Sequence, residues 1–171
     1  MNDKDDKTLA QSYEKMASKA RELFSESSEK TLEALETAIE AAREHFVKVG
    51  DITQKESAHL KYYLRRDLEQ SAKHFHTLSE QAKIKLKSEN LQAGFLDLTA
   101  QLAHGASDLF SRLAEWAESG SSYHTGQVTA PGVLRCRQCG KEMHFKKTGN
   151  IPPCSGCRGT DFVRESCSTS E

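Results

Sequence analysis

Two C-x2-C pairs near the C-terminus constrain this chain more than any other feature. Cys136 and Cys139 lie in Leu-Arg-Cys-Arg-Gln-Cys-Gly-Lys, Cys154 and Cys157 in Pro-Pro-Cys-Ser-Gly-Cys-Arg-Gly, and 14 residues separate the pairs. A C-x2-C turn holds two thiolates about 4 Å apart, and two such turns facing each other supply the soft tetrahedral donor set that Zn2+ accepts. Four thiolates leave no open coordination position. The expected role is therefore one structural Zn2+ held by Cys136, Cys139, Cys154 and Cys157, with iron in a rubredoxin-like S4 site as the competing metal. The alternative of two disulfides is disfavoured because the chain starts Met-Asn-Asp-Lys-Asp-Asp-Lys, without the apolar segment of a secretory leader. The expected location is the cytoplasm. Cys167, in a Ser/Thr/Glu tail, reads as a bystander thiol.

The neighbours of these cysteines suit two knuckles joined by short strands. Gly140 follows the first pair and Gly156 and Gly159 lie in and after the second, where a turn needs positive φ or a close backbone approach to sulfur. Segments 132–135, 142–145 and 160–163 read as a small antiparallel sheet. Residues 127–164 number only 38, below the roughly 40 at which a chain folds without a metal, disulfide or partner. Metal is expected to supply most of the stability here, on the order of 10 to 16 kcal/mol by analogy with zinc-finger peptides. His144, five residues past Cys139, is a weaker ligand candidate than the four thiols.

The remaining two thirds of the chain is expected to be helical. From about Thr8 to Glu118 there is no proline, and glycine occurs only at 50, 94 and 105. Leu9, Tyr13, Met16, Ala20 and Leu23 recur at helical spacing, and Leu32, Leu35, Ile39, Ala42, Phe46 and Val49 resume it after Ser25-Glu-Ser-Ser28. That offset predicts a stutter or a joint between two helices. Gly50 is placed to end a helix, and Thr53-Gln-Lys-Glu56 forms an S/T-x-x-E capping box that starts the next. A stripe of Leu60, Leu64, Leu68, Ser71, Phe75, Leu78, Ala82 and Leu86 follows, then one of Leu91, Phe95, Leu98, Leu102, Ala106, Leu109, Leu113 and Trp116. No strong breaker lies between them. The fold class is mainly α, an antiparallel helical bundle or a coiled-coil hairpin, followed by a small C-terminal β zinc ribbon. The expected organisation is a disordered N-terminus at 1–7, helices over 8–118, a flexible Ser/Gly-containing link at 119–126, the ribbon at 127–164 and a disordered tail at 165–171.

Charge divides along the same lines. Residues 1–123 hold 17 Lys/Arg and 21 Asp/Glu, whereas residues 124–166 hold 7 and 3. Four thiolates and one Zn2+ would cut the ribbon's +4 to about +2, so much of its positive charge compensates the metal cluster and forms no clear nucleic-acid stripe. Lys61-Tyr-Tyr-Leu-Arg-Arg66 could grip a polyanion, but Asp67 and Glu69 beside it favour a solvated, ion-paired helix face. Glu56-Ser-Ala-His59 has di-iron spacing without a second such motif. His45, His74, His76 and His104 lack a ligand pattern. Phosphate loops, nucleophile elbows and zinc-protease motifs are absent, and no apolar run is long enough to span a bilayer. The expectation is a non-enzymatic protein with no small-molecule substrate and no membrane association.

Three stretches, 123–145, 151–164 and 51–68, carry a resemblance to the YbeL-type zinc-ribbon-containing bacterial proteins, and it extends over most of the chain. The resemblance implies a helical N-terminal region followed by a ribbon in which Cys136, Cys139, Cys154 and Cys157 take the ligand positions. It brings no activity with it. Two expectations for function stand: a protein-interaction or adaptor module, and a transcription-associated regulator binding RNA polymerase or nucleic acid through its helical hairpin and ribbon. The second would use an acidic hairpin tip, for which the Val49–Thr53 turn offers only Asp51.

Overall fold

The computed structural model describes residues 3–75, 94–105, 107–116 and 122–165. Five helices lie in these residues: α1 Asp3–Glu26, α2 Leu32–Lys48, α3 Gln54–Phe75, α4 Gly94–Gly105 and α5 Ser107–Trp116. Six short strands follow: β1 Tyr123–His124, β2 Val128–Thr129, β3 Gly132–Cys136, β4 Glu142–Phe145, β5 Gly149–Asn150 and β6 Asp161–Glu165.

The spacing of apolar residues explains the helical packing. On α1, Tyr13, Met16, Ala17, Ala20 and Phe24 bury one stripe, and on α3 Leu60, Leu64, Leu68 and Ala72 do the same at four-residue intervals. α1 packs on α2 and α4, and α3 on α5 and α2, closing one core with Phe95, Leu98, Leu102, Leu109, Phe110 and Leu113. The joint expected after Ser25 is a real break between α1 and α2. Lys30 holds it: its Nζ donates to the carbonyls of Phe24 at 2.5 Å, Ser27 at 2.9 Å and Ser25 at 3.1 Å, satisfying groups left open at the α1 C-terminus. Thr31 caps α2 by accepting from the Ala34 N–H at 3.2 Å.

Gly50 and the capping box act as the sequence predicts. Gly50 has φ +77°, its N–H donates to Val47 O at 3.1 Å, and the Asp51 N–H donates to Phe46 O at 3.1 Å, the two bonds of a Schellman end. The Thr53 N–H donates to Glu56 Oε2 at 2.8 Å while the Glu56 N–H donates to Thr53 Oγ1 at 3.2 Å. These bonds hold the Glu56 carboxyl below the usual carboxylate range, the Thr53 N–H contributing most.

Several expectations fare differently. The stripe over 91–116 is divided: α4 ends at Gly105 and α5 starts at Ser107. The part of the α3 stripe beyond Phe75, and Leu91 and Ala106, lie outside the described residues, as do residues 119–121 of the expected link. Of that link, Tyr123 and His124 are strand β1, paired with Phe162 and Asp161 of β6, and Tyr123 is fully buried. Val49 ends α2 exposed and belongs to no core stripe.

The ribbon consists of a four-stranded antiparallel sheet of order β1-β6-β3-β4 and a two-stranded sheet of β2 and β5. Leu134 and Cys136 of β3 point inward with Tyr123, Ile151, Cys154 and Phe162, while Arg135 between them points out and pairs diagonally with Glu165.

This ribbon lies against the helices. Val128 and Ala130 join the helical core rather than the ribbon's own. Glu14 of α1 accepts from the Phe95 N–H at 3.0 Å, anchoring the start of α4, and also from Thr148 Oγ1 next to β5. At Gly94 the backbone nearly touches α1: a Cβ there would lie 2.7 Å from the Ser18 N and against Glu14 O. Arg66 departs from the expected solvated face. It is 3% exposed and Asp67 is fully buried, both beneath the ribbon, whereas Arg65 does form exposed pairs with Glu36 at 3.0 Å and Glu69 at 2.8 Å.

Candidate metal centre

All four sulfurs predicted as ligands converge. Cys136 Sγ lies 3.6 Å from Cys157 Sγ and Cys139 Sγ 3.5 Å from Cys154 Sγ, and the four sulfurs are within 4.8 Å of one another. A tetrahedron with metal–sulfur bonds of about 2.3 Å has sulfur–sulfur edges of about 3.8 Å, inside this range. Among the described residues this is the only cluster of potential ligands close enough to share an ion. His144 is not in it; its imidazole pairs with Glu142 at 3.5 Å on the sheet surface.

The two knuckles repeat one local geometry. In the first, the Gly140 N–H donates to Cys136 O at 3.0 Å and the Cys136 N–H to Lys141 O at 2.9 Å. In the second, the Arg158 N–H donates to Cys154 O at 2.8 Å and the Cys154 N–H to Gly159 O at 2.9 Å. The residue after each second cysteine must enter the left-handed region, with φ +73° at Gly140 and +60° at Arg158. Gly159 serves close approach instead: a Cβ there would stand 3.2 Å from Cys136 Sγ and 2.8 Å from Gln138 Oε1. The Gly156 and Gly159 N–H groups donate to Cys154 Sγ and Cys157 Sγ, each at 3.4 Å, as donors to thiolate should.

These contacts separate the acidities of the set. Amides of Cys157 and Gly156 draw the Cys154 thiol down to about 6. The Gly159 amide also favours a Cys157 thiolate, but the surrounding Cys139, Cys136 and Cys154 sulfurs and burial outweigh it and push Cys157 up to about 12. Cys154 ionises readily while hydrogen bonding to the neighbouring sulfurs keeps the proton on Cys157, so a divalent cation must displace that proton to bind. Cys136 and Cys154 are buried while Cys139 and Cys157 are exposed, as are Arg137, Lys141 and Arg158, their neighbours in the sequence. The donors fit a tetrahedral thiophilic ion, and with all four positions taken by protein none remains for substrate or water.

Sequence reasoning did not foresee the second polar constellation of the molecule, the Tyr13, Arg66, Asp67 and Arg164 group between helices and ribbon. One signal pointed to it: Asp67 lies three residues after Leu64, on the buried stripe of α3, where a carboxylate needs partners.

A family model described as a zinc-ribbon containing domain matches residues 22–166. Curated relatives include the uncharacterized protein YbeL of Escherichia coli K12 and its counterparts in strains CFT073 and O157:H7. Each is 27% identical over 157 residues, covering 88% of this chain and 96% of the relative. No solved structure matches the chain. Among the described residues, no helix is long and apolar enough to cross a membrane.

Proposed function

The chain belongs to the family of zinc-ribbon containing domains, and on that basis we propose that it is a non-enzymatic, cytoplasmic protein-interaction module: a helical bundle carrying a ribbon pinned by one structural Zn2+. The observation that carries this reading is the closed set of four converging sulfurs, which has a mechanical use and no vacant position for chemistry. The N–H donors aimed at Cys154 and Cys157 support a thiolate-bound ion. We place the partner contact at Tyr62 on α3 and Val49 at the α2–α3 turn, the large hydrophobic side chains exposed among the described residues.

The regulator that would enter RNA polymerase by an acidic hairpin tip draws less support. Asp51 at that tip is paired with Lys15 at 3.3 Å, leaving its charge partly offset. Affinity capture from a bacterial lysate separates the readings. An adaptor retains a protein stoichiometrically and loses it on Tyr62→Ala or Val49→Ser. Retention of polymerase subunits weakened by Asp51→Ala, or of nuclease-sensitive material, would replace the adaptor reading with the regulator.

A further inference from the structure

Buried charges at the junction make the helices depend on the ribbon. Asp67, fully buried on α3, accepts from the Tyr13 hydroxyl of α1 at 3.0 Å, from its neighbour Arg66 Nε at 3.1 Å and from the Ala130 N–H at 2.8 Å. Arg66 in turn donates to Val128 O at 2.9 Å and Gln127 Oε1 at 2.7 Å, and its guanidinium lies 3.8 Å from the centre of the Tyr123 ring. Arg164 of β6, whose side chain is 5% exposed, donates to the Pro131 carbonyl and stands 3.5 Å from Thr129 Oγ1 and 3.7 Å from Asp67 Oδ1. Gly132 makes room for it, since a Cβ at that position would meet the Arg164 guanidinium.

Two guanidinium ions share one carboxylate in a buried site, so the ribbon's carbonyls, amide and aromatic face are needed to compensate them. Tyr123, Gln127, Val128, Ala130 and Arg164 all come from the ribbon. Without it, Arg66 and Asp67 would keep each other, Tyr13 and, for Arg66, the rings of Tyr63 at 5.1 Å and Tyr62 at 6.0 Å, but no backbone acceptor or amide from the ribbon, and the helical core would lose Val128 and Ala130.

In the structural-metal reading, the ribbon's own order depends on the ion. Two of the six buried residues in its core are the cysteines Cys136 and Cys154. The strand that delivers Arg164 starts four residues after Cys157 and pairs Phe162 with Cys136, so the knuckles set its register. We infer that metal occupancy gates the docking of the ribbon: the loaded ribbon locks onto α1 and α3 through the Arg66, Asp67 and Arg164 cluster, and loss of the ion releases that helical face. The inference rests on the structural-metal reading and adds to it a coupling between the ion and a surface built by α1 and α3. By linkage, the factor by which the metal favours docking equals the factor by which docking tightens the hold on the metal, so a weaker lock lowers metal affinity by up to that factor.

Amide hydrogen exchange on the zinc-loaded full chain, before and after stripping by a chelator, tests the gating. Stripping should accelerate exchange about 10-fold or more around residues 13–20 and 60–72 as well as in 123–165. In the reverse direction, Asp67→Asn should weaken zinc affinity against a chromogenic chelator by roughly 5- to 150-fold, the usual span of such couplings. Gln127→Ala, which removes one ribbon acceptor from Arg66 and leaves the charges in place, should shift it the same way by less. Stoichiometric zinc together with unchanged helical amides on stripping, or wild-type zinc affinity in both variants, would overturn the gating alone. Absence of bound zinc would overturn the structural-metal reading with it.

Discussion

Asp67→Ala is the substitution from which the junction predicts the largest loss outside the metal ligands. The variant leaves Arg66 and Arg164 buried without their carboxylate and removes the acceptor of the Tyr13 hydroxyl and the Ala130 N–H. Breaking one side of a buried ion pair costs about 3 to 5 kcal/mol, and this figure already includes the groups left unsatisfied. Against a total stability of roughly 5 to 15 kcal/mol, that is a large share. For a chain of this size each kcal/mol moves Tm by about 2 to 4 °C, so thermal unfolding followed by circular dichroism at 222 nm, in excess zinc, should show a fall of about 6 to 20 °C. Arg65→Ala serves as the control. Its exposed pairs with Glu36 and Glu69 contribute less than about 1 kcal/mol, and its Tm should stay within about 4 °C of wild type. Equal, small effects for the two variants would refute the claim that the Asp67 cluster joins ribbon to helices.

Three other expectations follow from particular contacts. Gly140→Ala should weaken zinc retention against a competing chelator by about 5- to 30-fold, the equivalent of roughly 1 to 2 kcal/mol, because φ is +73° there while no atom stands within 4 Å of an added Cβ. Gly94→Ala should destabilise by about 1 to 3 kcal/mol in urea titration, since its Cβ would press on the backbone of α1. Glu40, held down to about 2 by its bonds to Arg43 and Lys61, contributes stability that is full above the unfolded carboxylate value near 4.3 and is lost as pH falls towards 2. The Tm difference between wild type and Glu40→Gln should therefore be constant from pH 7 to about 5 and fall to a small fraction by about pH 2; a difference that grows in acid would contradict this.

Local chemistry was legible in the sequence, and long-range chemistry was not. The four cysteines, the Gly50 stop and the Thr53–Glu56 box each declare themselves within a few residues, because each C-x2-C knuckle, the stop and the box is a single local turn. The strands 132–135 and 142–145 were visible for the same reason, whereas β1, β2 and β5, two residues each, carry too little alternation to register. Arg66 was misassigned because Asp67 and Glu69 beside it resemble surface partners; its decisive acceptors, Gln127 and Val128, lie about sixty positions away. Glu14 is a similar case, its partners being Phe95 and Thr148. The left-handed Arg158 also escaped notice, since only its equivalence with Gly140 in the folded knuckles reveals the requirement.

Native mass spectrometry of freshly purified protein tests the central claim most directly, because it reports bound metal and cysteine oxidation in one mass. A mass corresponding to one zinc per chain, with Cys136, Cys139, Cys154 and Cys157 reduced and shielded from alkylation until a chelator is added, is the predicted result. A metal-free chain lighter by four hydrogens, its paired cysteines joined as disulfides, would contradict it.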